Sequence, residues 1–270
     1  MNASTAAREV SAYNTAAASD NKIHDDSVAR RFGFRGGRVP GVEVYAYMAH
    51  MPVARWGRAW LERGAAECRF WKPVYDGALA RITAAEDDGA LTLAVESGGE
   101  RCATGQASMP SQPPVSLIPD AIASAEPPRE RPPASEETLA SGRALGIVPF
   151  AVDRAMLLDY LAEVRETETL YRTEGLVHPG QILRLANMAL VQNVVLGPWI
   201  HVGSKVHHLA AVHLGQHLTL RSKITSNVVS KGHAIVEFDA IVVADNRDVA
   251  QITHTAIWRP RQVAEDSQAA

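Results

Sequence analysis

The sequence predicts an α+β protein made of two copies of one plan in tandem, each a long central helix wrapped by a curved antiparallel sheet. Three observations carry this. A proline-dense stretch divides the chain near its middle, the two halves repeat residues at a fixed offset, and each half shows one helical period followed by runs of period-two texture.

Eight of the 15 prolines fall between Pro110 and Pro133. Proline fixes φ and removes a backbone donor, so this density excludes helix and central strand and reads as an extended linker crossing a surface. The expected organisation is a first domain over 1–109, a linker over 110–140, a second domain over 141–262 and a tail over 263–270. Across that divide Gly41 and Gly180, Trp60 and Trp199, Gly64 and Gly203, and Leu79 and Leu218 are each 139 residues apart. Four coincidences at one offset indicate a duplication.

Each copy opens on Pro-Gly, at Pro40-Gly41 and Pro179-Gly180. Proline suits a helix start, because the first N–H groups of a helix have no intrahelical partner. Val42, Tyr45, Ala46, Ala49 and Val53 then recur at helical spacing, as do Ile182, Leu185, Ala186, Ala189 and Asn193. Their other faces are also mostly apolar, so both helices are expected to be buried nearly all round. Strand texture follows at Ala80–Thr83, Leu91–Val95, Leu218–Ile224, Ala234–Ala244 and Val249–Trp258, parted by turn signals such as Asp87-Asp88-Gly89 and Asp245-Asn246.

The chain is 46% hydrophobic and 21% charged with a formal net charge of -3, which points to neither nucleic acid nor an anionic membrane as partner. No stretch approaches the roughly 18 apolar residues of a membrane span, and the first twenty residues hold no apolar signal core, so a cytoplasmic protein is expected. Cys68 and Cys102 show no CxxC spacing and read as small apolar residues rather than as a disulfide or zinc framework. The densest histidine cluster, His201, His207, His208, His213 and His217, matches no zinc spacing, and Gly203 and Gly215 are expected to interrupt any strand that would align it. Neither a metal nor a cofactor is expected.

Residues 19–56 carry a motif. Asn21-Lys22-Ile23-His24-Asp25-Asp26, Gly33-Phe34-Arg35-Gly36-Gly37 and Val39-Pro40-Gly41 together resemble the signature of MaoC-like enoyl-CoA hydratases, which runs Gly-Asp-x-Asn-Pro-(Ile/Leu)-His before a Gly-Phe turn and a Pro-Gly helix start. The resemblance implies a tandem double hot-dog fold, with the motif kept in one half and lost in the other. The second half agrees: Glu168-Thr169-Leu170-Tyr171 has neither the Asn nor the His. The first half departs at one point, since Ser19 aligns with the family's catalytic Asp and Asp20 with its variable position. A one-residue bulge would be needed to bring Asp20 into that place.

The resemblance implies proton transfer by His24, with Asn21 fixing the geometry, Ser19 or Asp20 holding the water, and the Gly41 N–H meeting the thioester oxygen at the positive end of the central helix. Glu43, two residues into that helix, suits the carboxylate of a hot-dog thioesterase, or simply an acidic residue favoured near a helix N-terminus. Arg35 and Arg38, in a basic stretch with Arg30 and Arg31, suit contact with coenzyme A phosphates or a solvated face. Tyr45 and His178 complete the expected substrate contacts. His178 stands at the second helix start, with Tyr171, Arg184 and Asn187 as polar candidates nearby. Three functions follow: a lyase that hydrates an enoyl-CoA or dehydrates a 3-hydroxyacyl-CoA, an acyl-CoA thioesterase using Glu43, or a non-catalytic acyl-thioester binder. A homodimer is compatible with each.

Overall fold

The computed structural model describes residues 5–16, 35–112 and 122–261. Strand β1 (Thr5–Ser11) leads to the long helix α1 (Gly41–Trp56), the short helix α2 (Arg58–Arg63), and strands β2 (Ala65–Phe70), β3 (Leu79–Asp87), β4 (Ala90–Ser97) and β5 (Glu100–Ser108). The second half has short strands β6 (Ala144–Leu145) and β7 (Phe150–Ala151), then helices α3 (Arg154–Glu163), α4 (Leu170–Glu174) and the long α5 (Pro179–Asn193). Strands β8 (Ile200–His208), β9 (His217–Ser230), β10 (His233–Ala244) and β11 (Arg247–Arg259) follow.

The strands join in one antiparallel sheet in the order β1-β3-β4-β5-β2-β8-β11-β10-β9-β6, with β7 also paired to β9. Read outward from the centre, β2-β5-β4-β3 mirrors β8-β11-β10-β9, so the duplication is a pseudo-two-fold about the β2–β8 junction. There Cys68 lies opposite Ser204 and Glu67 opposite Lys205. Alternation sets the inner face: Ala80, Ile82 and Ala84 on β3, Leu91, Leu93 and Val95 on β4, and Val236, Phe238, Ala240 and Val242 on β10 are buried. This is the tandem double hot-dog plan.

The two long helices pack against each other inside the sheet. Gly180 permits the approach, since a Cβ there would lie 2.7 Å from Ala46 Cβ and against the Tyr160 hydroxyl. Helix α1 is buried continuously from Val42 to Ala49. Helix α5 departs from the expectation of all-round burial: Arg184, Asn187, Met188 and Val191 are half-buried on one face, because that face opens onto a cleft.

Strand β8 corrects the expectation that Gly203 interrupts it. The strand runs through Gly203, and a bulge opposite β11 skips Val202 between the pairs Gly203–Thr255 and His201–Ala256. His201, Ser204, Val206 and His208 are therefore buried, and His207 turns out. A Cβ at Gly203 would stand 2.8 Å from the Cys68 carbonyl across the junction. The proline-rich segment, from Ile122 on, lies along the second half: Ile122 packs with Ile241 and Val243, Val195 N–H donates to the Pro132 carbonyl, and Leu139 is buried. No helix among the described residues is long and apolar enough to cross a membrane.

Candidate functional site

The two helix starts, alike in sequence, differ in what they leave open. At α1, Pro40 is the N-cap residue and no side chain caps the helix. The N–H groups of Glu43 and Val44 turn back to the Pro40 carbonyl at 3.0 and 3.1 Å, whereas those of Gly41 and Val42 make no hydrogen bond among the described residues. At α5 the first position is Pro179, which has no N–H, and Gly180 N–H donates to His178 Nδ1 at 3.0 Å. The positive end of α1 is open and that of α5 is closed.

His178 is in turn held from behind. Because its Nδ1 accepts from Gly180, its Nε2 carries the proton and donates to Glu166 Oε2 at 3.3 Å. The other carboxylate oxygen, Oε1, accepts from Thr167 N–H at 2.6 Å and Glu168 N–H at 2.7 Å, and lies 2.8 Å from His50 Nδ1 on α1. Arg8 of β1 stands 3.9 Å away. Burial alone would raise the Glu166 pKa, but the hydrogen bonds from His178 and His50 more than reverse this and hold it well below the usual carboxylate range. This buried cluster ties β1 and α1 of the first half to the second, and it leaves His178 fully enclosed rather than open to a substrate.

A cleft of about 670 Å³ runs between the start of α1 and the half-buried face of α5. Pro40, Val42 and Glu43 line one side and Arg184, Asn187, Met188 and Val191 the other. Thr15 and Ala16 close a third side, and Pro127, Pro128, Arg129 and Arg131 of the proline-rich segment a fourth. A larger concavity, about 770 Å³, lies on the outer face of the sheet among Thr83, Thr92, Thr104, Thr253 and Thr255, and it touches neither long helix.

Glu43 is committed to an ion pair across the halves. Its Oε1 accepts from Arg184 Nε at 2.7 Å and from the Thr15 hydroxyl at 3.2 Å, with Arg184 Nη2 at 2.6 Å. The Arg184 guanidinium also lies 3.6 Å from Glu163 and 4.4 Å from the Tyr160 ring centroid. A carboxylate held by a guanidinium is a weak nucleophile and a weak base, so this geometry disfavours Glu43 as the attacking group of a thioesterase.

The remaining expected residues fall in three groups. Ser19, Asp20, Asn21 and His24 lie outside the described residues, between Ala16 and Arg35. Tyr45 and Arg38, expected as substrate contacts, do not line the cleft. Tyr45 is in the core, where burial pushes its phenol pKa well up, and Arg38 is buried in a bridge to Tyr75, its pKa lowered by burial to about 10. Arg35 is exposed, with its backbone N–H donating to the Tyr75 hydroxyl at 3.3 Å. The arginines that do reach the cleft, Arg129 and Arg131, sit in Pro127-Pro128-Arg129-Glu130-Arg131-Pro132-Pro133 and are placed by the lie of that segment. Arg131 Nη1 donates to the Val191 carbonyl at 2.6 Å.

His201, read from the sequence only as part of a histidine cluster, lies beside the site. A Cβ at Gly41 would stand 2.8 Å from His201 Nδ1, so the imidazole lies directly beneath the α1 start. Its Nε2 is 2.8 Å from Ser204 Oγ, which is 3.0 Å from His254 Nδ1. Burial lowers the His201 pKa to about 3 and the His254 pKa well below its ordinary value. Both are neutral packing groups that fix the floor under Gly41. Among the described residues no group of three His, Cys, Asp or Glu side chains is placed to hold a metal.

No protein-family model matches the sequence, and no curated protein matches it. Solved structures do. A conserved hypothetical protein of Mycobacterium tuberculosis with a double hot-dog fold aligns at TM-score 0.67 and 15% identity over 95% of this chain and 96% of its own. A MaoC-domain dehydratase of Chloroflexus aurantiacus aligns at TM-score 0.64 and 12% identity over 96% of each chain. A MaoC-like dehydratase aligns at TM-score 0.59 and 13% identity over 94% of this chain and 98% of its own. The chain thus has the double hot-dog fold found in MaoC-like dehydratases.

Proposed function

We propose that the protein binds an acyl thioester of coenzyme A in the cleft beside α1 and interconverts its 2-enoyl and 3-hydroxyacyl forms by adding or removing water. The observation that carries this reading is the open pair of N–H groups at Gly41 and Val42, at the positive end of a buried helix whose first turn lines a largely apolar cleft. Such donors suit a thioester oxygen that gains charge as water adds at C3. In the hydration direction His24 takes the proton from water as its oxygen bonds to C3, and then returns that proton to C2 of the enolate, which Gly41 N–H stabilises. Asn21 orients this segment, and Ser19 or Asp20 completes the water site. The segment begins directly after Ala16, which lines the cleft, and this supports its assignment there. Arg129 and Arg131 at the cleft wall suit the phosphates of coenzyme A, a role for which Arg38 is too buried. The dehydratases among the structural neighbours support the reaction class by analogy of fold alone.

The test is a panel of short, long and aromatic 2-enoyl-CoAs incubated with wild type and His24→Ala, following loss of enoyl absorbance and product mass. Hydration by wild type alone is expected. Thioesters that bind without reacting would overturn the lyase reading in favour of a binding protein, and absence of binding would remove the thioester premise itself.

A further inference from the structure

We infer that the acyl group taken by this cleft carries a hydroxyl beyond C3, read by Arg184 and Asn187; the inference rests on the thioester reading above. The two residues are three apart on α5, so their side chains share a face, and both line the cleft. Around them the lining is apolar, with Val42, Met188, Val191 and Trp199. A polar pair in such a wall selects its ligand by what it leaves unpaired.

Arg184 is held rigidly. Nε and Nη2 are engaged by Glu43 at 2.7 and 2.6 Å, and the guanidinium lies 4.4 Å from the Tyr160 ring centroid. Its third nitrogen, Nη1, takes part in none of these contacts, and it offers N–H donors in a fixed plane. One turn along, Asn187 Oδ1 is buried and makes no hydrogen bond. A donor and an acceptor therefore share one face of α5, each lacking a hydrogen-bond partner among the described residues.

Charge narrows the choice of ligand group. A carboxylate on the acyl chain would meet Glu43 and Glu163, both within 4 Å of the same guanidinium, so at Arg184 the positive charge is already matched by two carboxylates. An ammonium has no lone pair to accept from Arg184 Nη1 and leaves that donor unpaired. A hydroxyl accepts from Arg184 Nη1 and donates to Asn187 Oδ1, and it pairs equally with the amide turned over, because it both donates and accepts. A methyl group in the same place leaves both polar groups buried and unpaired.

The experiment is calorimetric titration of the full chain with 4-hydroxybutyryl-CoA and 6-hydroxyhexanoyl-CoA, each against the thioester in which methyl replaces hydroxyl, pentanoyl-CoA and heptanoyl-CoA. At least one hydroxyacyl thioester is expected to bind ~10-fold more tightly than its methyl partner, with the preference lost in Asn187→Leu. Asn187→Ala, which only shortens the side chain, is measured alongside and is expected to lose it too. Equal or tighter binding of the methyl compounds overturns the inference, as does a hydroxyl preference that survives both substitutions. If no thioester of either kind binds, the proposed function fails and takes the inference with it. If the methyl compounds bind as well as the others, only the inference fails.

Discussion

Replacing Glu166 by Gln keeps the side chain's shape and removes its charge, which makes it a direct test of the cluster that joins the halves. In the native protein every hydrogen bond at this carboxylate is offered by a donor: two backbone N–H groups and His50 at Oε1, and His178 Nε2 at Oε2. A glutamine has one acceptor oxygen. With its amide nitrogen at the Oε2 position it faces the N–H of His178, which cannot reverse because Nδ1 is occupied by Gly180. With the nitrogen at the Oε1 position it faces two backbone donors instead. Either way one or two buried donors lose their acceptor at about 1–3 kcal/mol each, so a cost of roughly 3 kcal/mol is expected at pH 7. For a chain of this size that is a fall in Tm of about 6–12 °C.

The pH dependence carries a sign. A carboxyl whose pKa is depressed on folding contributes stability in full above its unfolded pKa, here 4.5, and loses it as pH falls below that value. Urea unfolding of wild type and Glu166→Gln should therefore differ equally at pH 7 and pH 5.5, and by less at pH 4. A variant within about 1 kcal/mol of wild type at pH 7 would refute the view of Glu166 as the lock.

Two further predictions rest on buried groups. His201 and His208 have pKa values lowered by burial to about 3, and burial also holds that of His254 well below its ordinary value. The unfolded chain protonates them below about 6.5 and the folded chain does not, so each is expected to remove roughly 1.4 kcal/mol per pH unit from about pH 6 down to 4. His208→Gln should flatten that slope in acid unfolding, and an unchanged slope would count against it. Arg184→Met leaves the Glu43 carboxylate buried without its guanidinium and is expected to cost ~3–5 kcal/mol, most of it recovered in Glu43→Leu/Arg184→Met. Additive losses in that double-mutant cycle would show the pair to be uncoupled.

Much of the fold was legible in residues whose local chemistry already states their role. Pro40-Gly41 and Pro179-Gly180 mark the helix starts, and alternation marks β3, β4 and the first part of β10. Where alternation breaks, legibility ends. Strand β8 hides because the bulge at Val202 resets which side chains face inward, so its histidines look like a cluster when two are core and one is outside. Strand β2 is short and mixed, and α3 shows no strong apolar stripe, with only Leu157, Tyr160 and Leu161 buried. At the site, local sequence could place Glu43 in the first turn of α1 but could not supply Arg184, 141 residues away. The burial of Arg38 and Tyr45 was illegible for the same reason, since it is decided by elements distant in the chain.

The difference between the two helix starts comes down to one position. At the offset of 139, Val39 corresponds to His178, each just before Pro-Gly. A valine has no acceptor to offer the helix, so Gly41 N–H stays open, whereas the imidazole of His178 takes Gly180 N–H and is itself fixed by Glu166. Duplication made two helix starts, and this substitution left one of them able to meet an oxygen. Glycine-selective ¹⁵N labelling tests it without relying on turnover. On titration with a saturated acyl-CoA, the Gly41 amide resonance is expected to shift and its exchange with solvent to slow, while Gly180 stays protected throughout. In His178→Val the Gly180 amide should lose its protection, at a stability cost of about 1–2 kcal/mol for the missing cap. A Gly180 resonance that moves with ligand while Gly41 does not would place the thioester at the other helix and refute the assignment.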